Sequence, residues 1–211
     1  MLKVTNLVAG YARRALARLE CLTVAQGEAA LLTGPSGAGK TTALLAIAGL
    51  ADVLEGKVIV AGQDMAGLSA RQRDRHRGSH IGTIFQDLHL IPGLSVIDNL
   101  LLAPFASRQR QDRARAIALL EKLGLAARIH ARSETLSRGE AQRTAIARAM
   151  LVAPSLILAD EPTASLDDDS CEAVLDLLLN AGRESGAALI IATHDSRVKS
   201  RISNIATVGT A

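Results

Sequence analysis

The segment that most constrains this chain is Gly34-Pro35-Ser36-Gly37-Ala38-Gly39-Lys40-Thr41-Thr42, which follows the apolar run Ala29-Ala30-Leu31-Leu32-Thr33 and leads into a helical pattern over Ala43–Leu50. A strand that turns through glycines into a helix aims successive backbone N–H groups at one point, where the helix N-terminus adds partial positive charge. Gly34, Ser36, Gly37, Ala38 and Gly39 form the cradle, Lys40 reaches the β- and γ-phosphates, and Thr41, followed by Thr42, brings a hydroxyl to Mg²⁺. An ordinary glycine-rich turn explains the glycines alone. The complete pattern in strand-to-helix context points instead to a nucleoside triphosphate.

Such a loop needs an acid to hold the metal, and Leu156-Ile157-Leu158-Ala159-Asp160-Glu161 supplies one at the end of a buried strand. Asp160 is expected to hold Mg²⁺ through water. Glu161, on the other side of the strand end, is placed to polarise an attacking water. A strand ending in a solvated acidic turn is the plainer reading, and the phosphate loop outweighs it.

Around these segments the chain alternates strand, turn and helix, which implies an α/β sheet. Leu2-Lys3-Val4, Cys21-Leu22-Thr23-Val24, Lys57–Gly62, Ile81–Phe85, Ser155–Ala159, Ala187–Ala192 and a segment near Ile205 read as strands; Ser69–Arg77 and Ser170–Ser185 read as helices. From Leu88 to Leu151 the pattern is almost wholly helical, including Asp112–Leu123 and Arg138–Leu151. One domain over 1–211 is expected, with a nucleotide-binding core (1–87 and 152–211) and a helical lobe (88–151).

Composition narrows the class further. With no Trp, only Tyr11, and only Phe85 and Phe105, the interior must be filled by Leu, Ile, Val and Ala. No apolar stretch approaches the roughly 20 residues that span a bilayer. The first residues enter strand alternation without a charged-then-apolar leader, so a cytoplasmic location is expected. Cys21 and Cys171 lack metal-site spacing and read as buried structural thiols. The net charge of +3 is mild, although arginines cluster over Arg71–Arg77 and Arg108–Arg115. Interrupting aspartates and the lack of stacking aromatics favour solvated helix faces over a nucleic-acid surface. His76 and His80, four apart, have no evident third ligand for a metal.

Leu136-Ser137-Arg138-Gly139-Glu140, followed by Gln142-Arg143, resembles the ABC signature, usually LSGGQ and then QR. The order of phosphate loop, glutamine, signature, Asp-Glu, Ser-Leu-Asp and His is similar to that of ABC ATPases over essentially the whole chain. The resemblance implies a P-loop NTPase (RecA-like) core with an antiparallel β subdomain and an inserted α-helical subdomain. It also implies an ATPase using ATP and Mg²⁺. Gln86 matches the Q-loop, expected to touch Mg²⁺ or water and to sense a membrane partner; Ser165-Leu166-Asp167 matches the D-loop of the dimer seam. His194 matches the switch histidine on the γ-phosphate, and Tyr11 is placed like the aromatic that stacks on adenine. In ABC proteins one protomer's signature caps the other's nucleotide, so Ser137 and the Gly139 amide would act in trans from a helix N-terminus. Arg138 and Glu140 depart from the commonest pattern.

Ile81–Pro92 and Leu94–Leu100 resemble the branch holding lipoprotein-release, macrolide-efflux and FtsE-type ATPases. The resemblance implies a homodimer on the inner face of the cell membrane, driving separate permease chains. The alternative is a non-transport ABC ATPase in cell division or DNA maintenance. DNA-maintenance relatives typically insert long coiled coils or zinc modules between phosphate loop and signature; neither heptads nor a cysteine cluster occurs here. No nucleic-acid partner is expected.

Overall fold

The computed structural model describes residues 1–164 and 166–211; Ser165 of the expected Ser165-Leu166-Asp167 turn lies outside the described residues. In chain order the elements are β1 (Leu2–Tyr11), β2 (Arg14–Val24), β3 (Ala29–Thr33), α1 (Lys40–Ile47), β4 (Asp52–Val60), β5 (Gln63–Asp64), α2 (Ala70–His80) and β6 (Ile81–Ile84). Then follow α3 (Val96–Ala106), α4 (Arg113–Lys122), α5 (Arg138–Leu151), β7 (Leu156–Asp160), α6 (Asp168–Ser185), β8 (Ala188–Ala192), α7 (Ser196–Lys199) and β9 (Asn204–Thr207).

Two sheets divide these strands. The first is antiparallel, ordered β2-β1-β4-β5; the second is parallel, ordered β6-β7-β8-β3-β9. β1 and β2 close through Ala12 and Arg13, with φ of 47° and 67°, the left-handed pair whose twist matches a two-residue hairpin. β4 begins at Asp52, well before the expected Lys57. Glu55-Gly56 interrupts the apolar alternation, but the ladder continues through a register shift opposite Thr5–Val8. Gly56, at φ 82°, is required there, because a Cβ would stand 2.1 Å from the Asn6 carbonyl oxygen.

A parallel sheet must be covered on both faces, and the two-residue period of its strands apportions the cover. Leu32, Leu158 and Ile190 pack in one apolar cluster with α1 and the antiparallel sheet, whereas Leu31, Ile157 and Ile191 pack in another with α5 and α6. Each fully buried Leu or Ile contributes on the order of 1.5–3 kcal/mol of transfer free energy. A third cluster, built on Val96, Ile97, Leu100, Leu120, Leu125 and Ala147, joins α3, α4 and α5. The helices between β6 and β7 thus have apolar packing of their own.

Local chemistry sets the helix ends. Asp167 accepts the Ser170 N–H at 2.8 Å, acids occupy the first turn of α6, and Gly186 at φ 68° terminates it, which matches the capping and dipole preferences of both ends. Two expectations are corrected. Cys21 is exposed on β2, on the solvent side of a strand covered on one face; only Cys171 is buried. Of the second arginine run, Arg108 to Asp112 is connector rather than helix, because Asp112 caps α4 by accepting the Arg115 N–H at 2.9 Å. No described helix is long and apolar enough to cross a membrane.

Candidate functional site

The parallel strands β3, β6, β7 and β8 deliver the phosphate loop, Phe85-Gln86, Asp160-Glu161 and Thr193-His194 at their carboxyl ends. Ligands of open α/β sheets bind in the crevice outside those ends. Helix α1 begins at Lys40, earlier than the expected Ala43, so the cradle residues run directly into its first turn.

The loop is pre-shaped by backbone geometry. Gly37 and Gly39 take φ of 78° and 89°, and the Ala38 N–H donates to the Pro35 carbonyl at 3.1 Å. Gly39 also meets β2 closely: a Cβ there would lie 2.5 Å from the Leu16 carbonyl oxygen. Behind Gly34 stands the carbonyl of Val208, 2.5 Å from where a Cβ would be, and the Val208 N–H donates to Thr33 at 2.8 Å. Lys40 is buried, its ammonium donating to the Gly34 and Pro35 carbonyls at 3.0 and 3.3 Å. The loop therefore holds its own cation on two of its carbonyls, and an anion offers that ammonium a stronger partner than two neutral carbonyls.

Asp160 is 6% exposed, and its Oδ1 has no hydrogen-bond partner among the described residues. Burial pushes its carboxyl pKa up; the Thr41 hydroxyl opposes the rise, the neighbouring Glu161 charge adds to it, and the Lys40 charge offsets part. An orphaned, buried carboxylate oxygen beside a hydroxyl is a costly arrangement that a hard, oxygen-seeking divalent cation would relieve. These residues fit Mg²⁺.

Glu161 occupies the left-handed region at φ 45°, a conformation costing on the order of 1 kcal/mol for a residue with a Cβ. Its surroundings fix it there. Its N–H donates to Ala192 at 2.8 Å, the Thr193 hydroxyl donates to Oε2 at 2.7 Å, and His194 Nδ1 lies 2.8 Å from Oε1. The carboxylate is thus aimed by β8, while the His194 side chain remains 72% exposed and open to a ligand.

Ser137 caps α5 and accepts the Glu140 N–H at 3.3 Å, while Glu140 accepts the Ser137 N–H at 2.8 Å. This reciprocal capping box, together with Arg128 Nε on Glu140 at 2.8 Å, lowers the Glu140 pKa to about 2. Glu140, one of the two departures from the usual signature, is therefore what squares the helix N-terminus.

Within one chain the structure assembles Lys40, Thr41, Asp160, Glu161 and His194. Among the described residues the Ser137 side chain bonds only to Glu140 in the first turn of α5, where Gly139 also lies, and neither is bonded to this cradle within the chain. Gln86 sits exposed in the bend after β6 without a bond to Asp160. Tyr11 is 41% exposed at the end of β1 rather than in a loop, in the hairpin whose second strand packs on Gly39. His76 bonds to Val60 and His80 to Ser155; among the described residues no third ligand joins them.

Three contributors escaped sequence reading. Thr193 holds Glu161, and Arg197 grips Asp195 beside His194 at 2.8 Å. Arg148 donates from α5 to the Leu88 and His89 carbonyls, both at 2.6 Å, fixing the segment after Gln86. The adjacency of Thr193 and Asp195 to His194 was a usable signal; the Arg148 contact depends on tertiary packing alone.

Comparison with known proteins agrees with this geometry. A family model described as ABC transporter matches residues 20–164. The chain is 43% identical over 187 residues to the lipoprotein-releasing system ATP-binding protein LolD of Ruegeria sp. (strain TM1040), covering 87% of this chain and 82% of that protein. It is 44% identical over 183 residues to the LolD of Bordetella pertussis, covering 85% and 79%. Among solved structures, a dimeric ATP-binding cassette in a post-hydrolysis state with ADP and Pi superposes with TM-score 0.84 at 30% identity, over 99% of this chain and 94% of that one.

Proposed function

The chain belongs to the ABC transporter family as an ATP-binding, ATP-hydrolysing cassette, and from that premise we propose that two copies close over two ATP to drive separate permease chains of the lipoprotein-release type. The reading rests first on Asp160, whose buried Oδ1 lacks a partner beside Lys40 and Thr41 at the mouth of the parallel sheet. The names of the LolD relatives, and similarity to them over 85–87% of this chain, support the branch. The expected place of work is the cytoplasmic face of the cell membrane, reached through the permease.

In this mechanism Lys40 exchanges the Gly34 and Pro35 carbonyls for the β- and γ-phosphates, and the amides from Ser36 to Thr42 surround the remaining charge. Thr41, Asp160 and Gln86 would hold Mg²⁺, which when bound offsets charge on the transferring phosphoryl group. Glu161, held by Thr193, orients and deprotonates the attacking water, and the exposed edge of His194 meets the γ-phosphate. Tyr11 stacks on the base. The partner's Ser137 hydroxyl and Gly139 amide close the site from the dipole end of α5, and the helical lobe (88–151) moves as a body against the core (1–87 and 152–211). The work is done by positioning and preorganised charge.

Replacing Glu161 with Gln should lower turnover by at least ~100-fold while leaving ATP affinity intact, and should trap a dimer visible by gel filtration with ATP. Unchanged turnover would remove Glu161 from this role. Capture with that variant from detergent-solubilised membranes tests the branch. A permease with a large extracytoplasmic domain supports it, a many-helix importer replaces it, and recovery of DNA-maintenance proteins alone overturns transport.

A further inference from the structure

Where the ABC signature most often has glycine, this chain has Arg138, and its guanidinium leaves the signature altogether. Arg138 Nη2 donates to the Ala164 carbonyl at 2.7 Å. Ala164 closes a turn on the catalytic residue, its N–H donating to the Glu161 carbonyl at 3.1 Å. Ser137, Arg138, Ala164 and Glu161 therefore form a continuous path from the signature to the water-activating carboxylate.

The same segment is held from its other side. Arg197 donates to the Leu166 carbonyl at 3.3 Å and to Asp168 at 2.7 Å, while its remaining N–H groups bind the Asp195 carboxylate. Asp195 also accepts the Thr163 hydroxyl at 3.0 Å and adjoins His194. Asp195 is held well below the ordinary carboxylate range, foremost by the Arg197 hydrogen bonds. Arg197 thus anchors this end of the segment, and Arg138 ties its start to the helical lobe by a directional hydrogen bond.

We propose that Arg138 is a positioning residue that couples the two ATP sites of the dimer. The inference rests on the signature acting in trans, as set out above. Nucleotide bound by the partner engages Ser137 and Gly139, the first turn of α5 shifts, and the stiff, directional guanidinium carries that shift to the Ala164 turn. Glu161 of the same chain then changes its aim on that chain's own ATP. A glycine at position 138 makes no such link, so occupancy of one site would reach the other only through the general closure of the dimer.

The test is the ATP dependence of hydrolysis by the purified full chain and its Arg138→Gly and Arg138→Lys variants. Glycine is the residue this family most often carries there, so the first variant is expected to fold. Two coupled sites give a Hill coefficient above one and at most about two. The coefficient is expected to fall in Arg138→Gly, to the lower value that closure of the dimer alone gives, and to recover partly in Arg138→Lys, which still donates to a carbonyl. A merely structural role would lower the unfolding midpoint and leave the coefficient unmoved. A wild-type coefficient above one that is unchanged in Arg138→Gly overturns the coupling role alone. So does a wild-type coefficient of one while Glu161→Gln still forms its ATP dimer. A coefficient of one with no such dimer overturns the trans reading and the coupling role with it.

Discussion

At the scale of single residues, this site consists of groups kept where an isolated chain would not leave them. Lys40 is buried on carbonyls, Asp160 has an unpartnered oxygen, and Glu161 sits at a positive φ. Each feature is costly without ligand and useful with it, as expected of strain held by a surrounding fold. Gly39 shows how narrow the tolerance is, since both its φ of 89° and the 2.5 Å approach to Leu16 exclude a side chain. Gly39→Ala is expected to cost roughly 1–3 kcal/mol of stability and to weaken ATP binding by more than about tenfold, because the amides of the cradle lose their common focus. Urea unfolding and titration with a fluorescent ATP analogue check it, and wild-type affinity would mean the loop adapts.

At the scale of elements, α5 carries most of what is particular to this chain. Its N-terminus is squared by Glu140, whose folded pKa of about 2 lies below the ordinary glutamate value. The sign follows from linkage: a depressed carboxylate stabilises the fold fully above its unfolded pKa and loses that contribution as pH falls through the folded one. Wild-type chain should therefore exceed Glu140→Ala in urea midpoint near neutral pH, with the gap shrinking from about pH 4 downward; a gap independent of pH would assign the cap to packing. Strands and helices were legible where period and punctuation agreed, as in β7 and α6. They were misjudged where one glycine let a strand pass through a bulge, as at Gly56, or where a helix begins inside a binding loop, as at Lys40. The phosphate loop and the Asp160-Glu161 pair were legible because contiguous residues make them. The bonds of Thr193 to Glu161, of Arg148 to Leu88 and His89, and of Arg197 to Leu166 and Asp168 were not, because those partners come from distant strands and turns.

At the scale of the whole molecule, the parallel sheet separates two apolar bodies, and a few polar contacts tie the helices between β6 and β7 to the site. Arg148 is the plainest tie, reaching from α5 to the Leu88 and His89 carbonyls; burial lowers its pKa from the ordinary arginine value. Arg148→Ala is expected to cost roughly 2 kcal/mol, since hydrogen bonds from a charged donor are lost. ATP affinity should survive, because Lys40 and Asp160 are untouched. Parallel losses of stability and affinity would instead show that the segment after Gln86 supports the cradle directly.

The carbonyl of Val208 makes the back wall of the phosphate loop, Val208 hydrogen-bonds to Thr33, and Gly209 pairs with Arg18 of β2. Residues far downstream thus act as a splint on the phosphate loop. An affinity handle joined immediately after Val208, or a protease nick just before it, would register at the nucleotide. Assays of this protein should accordingly carry their handles elsewhere.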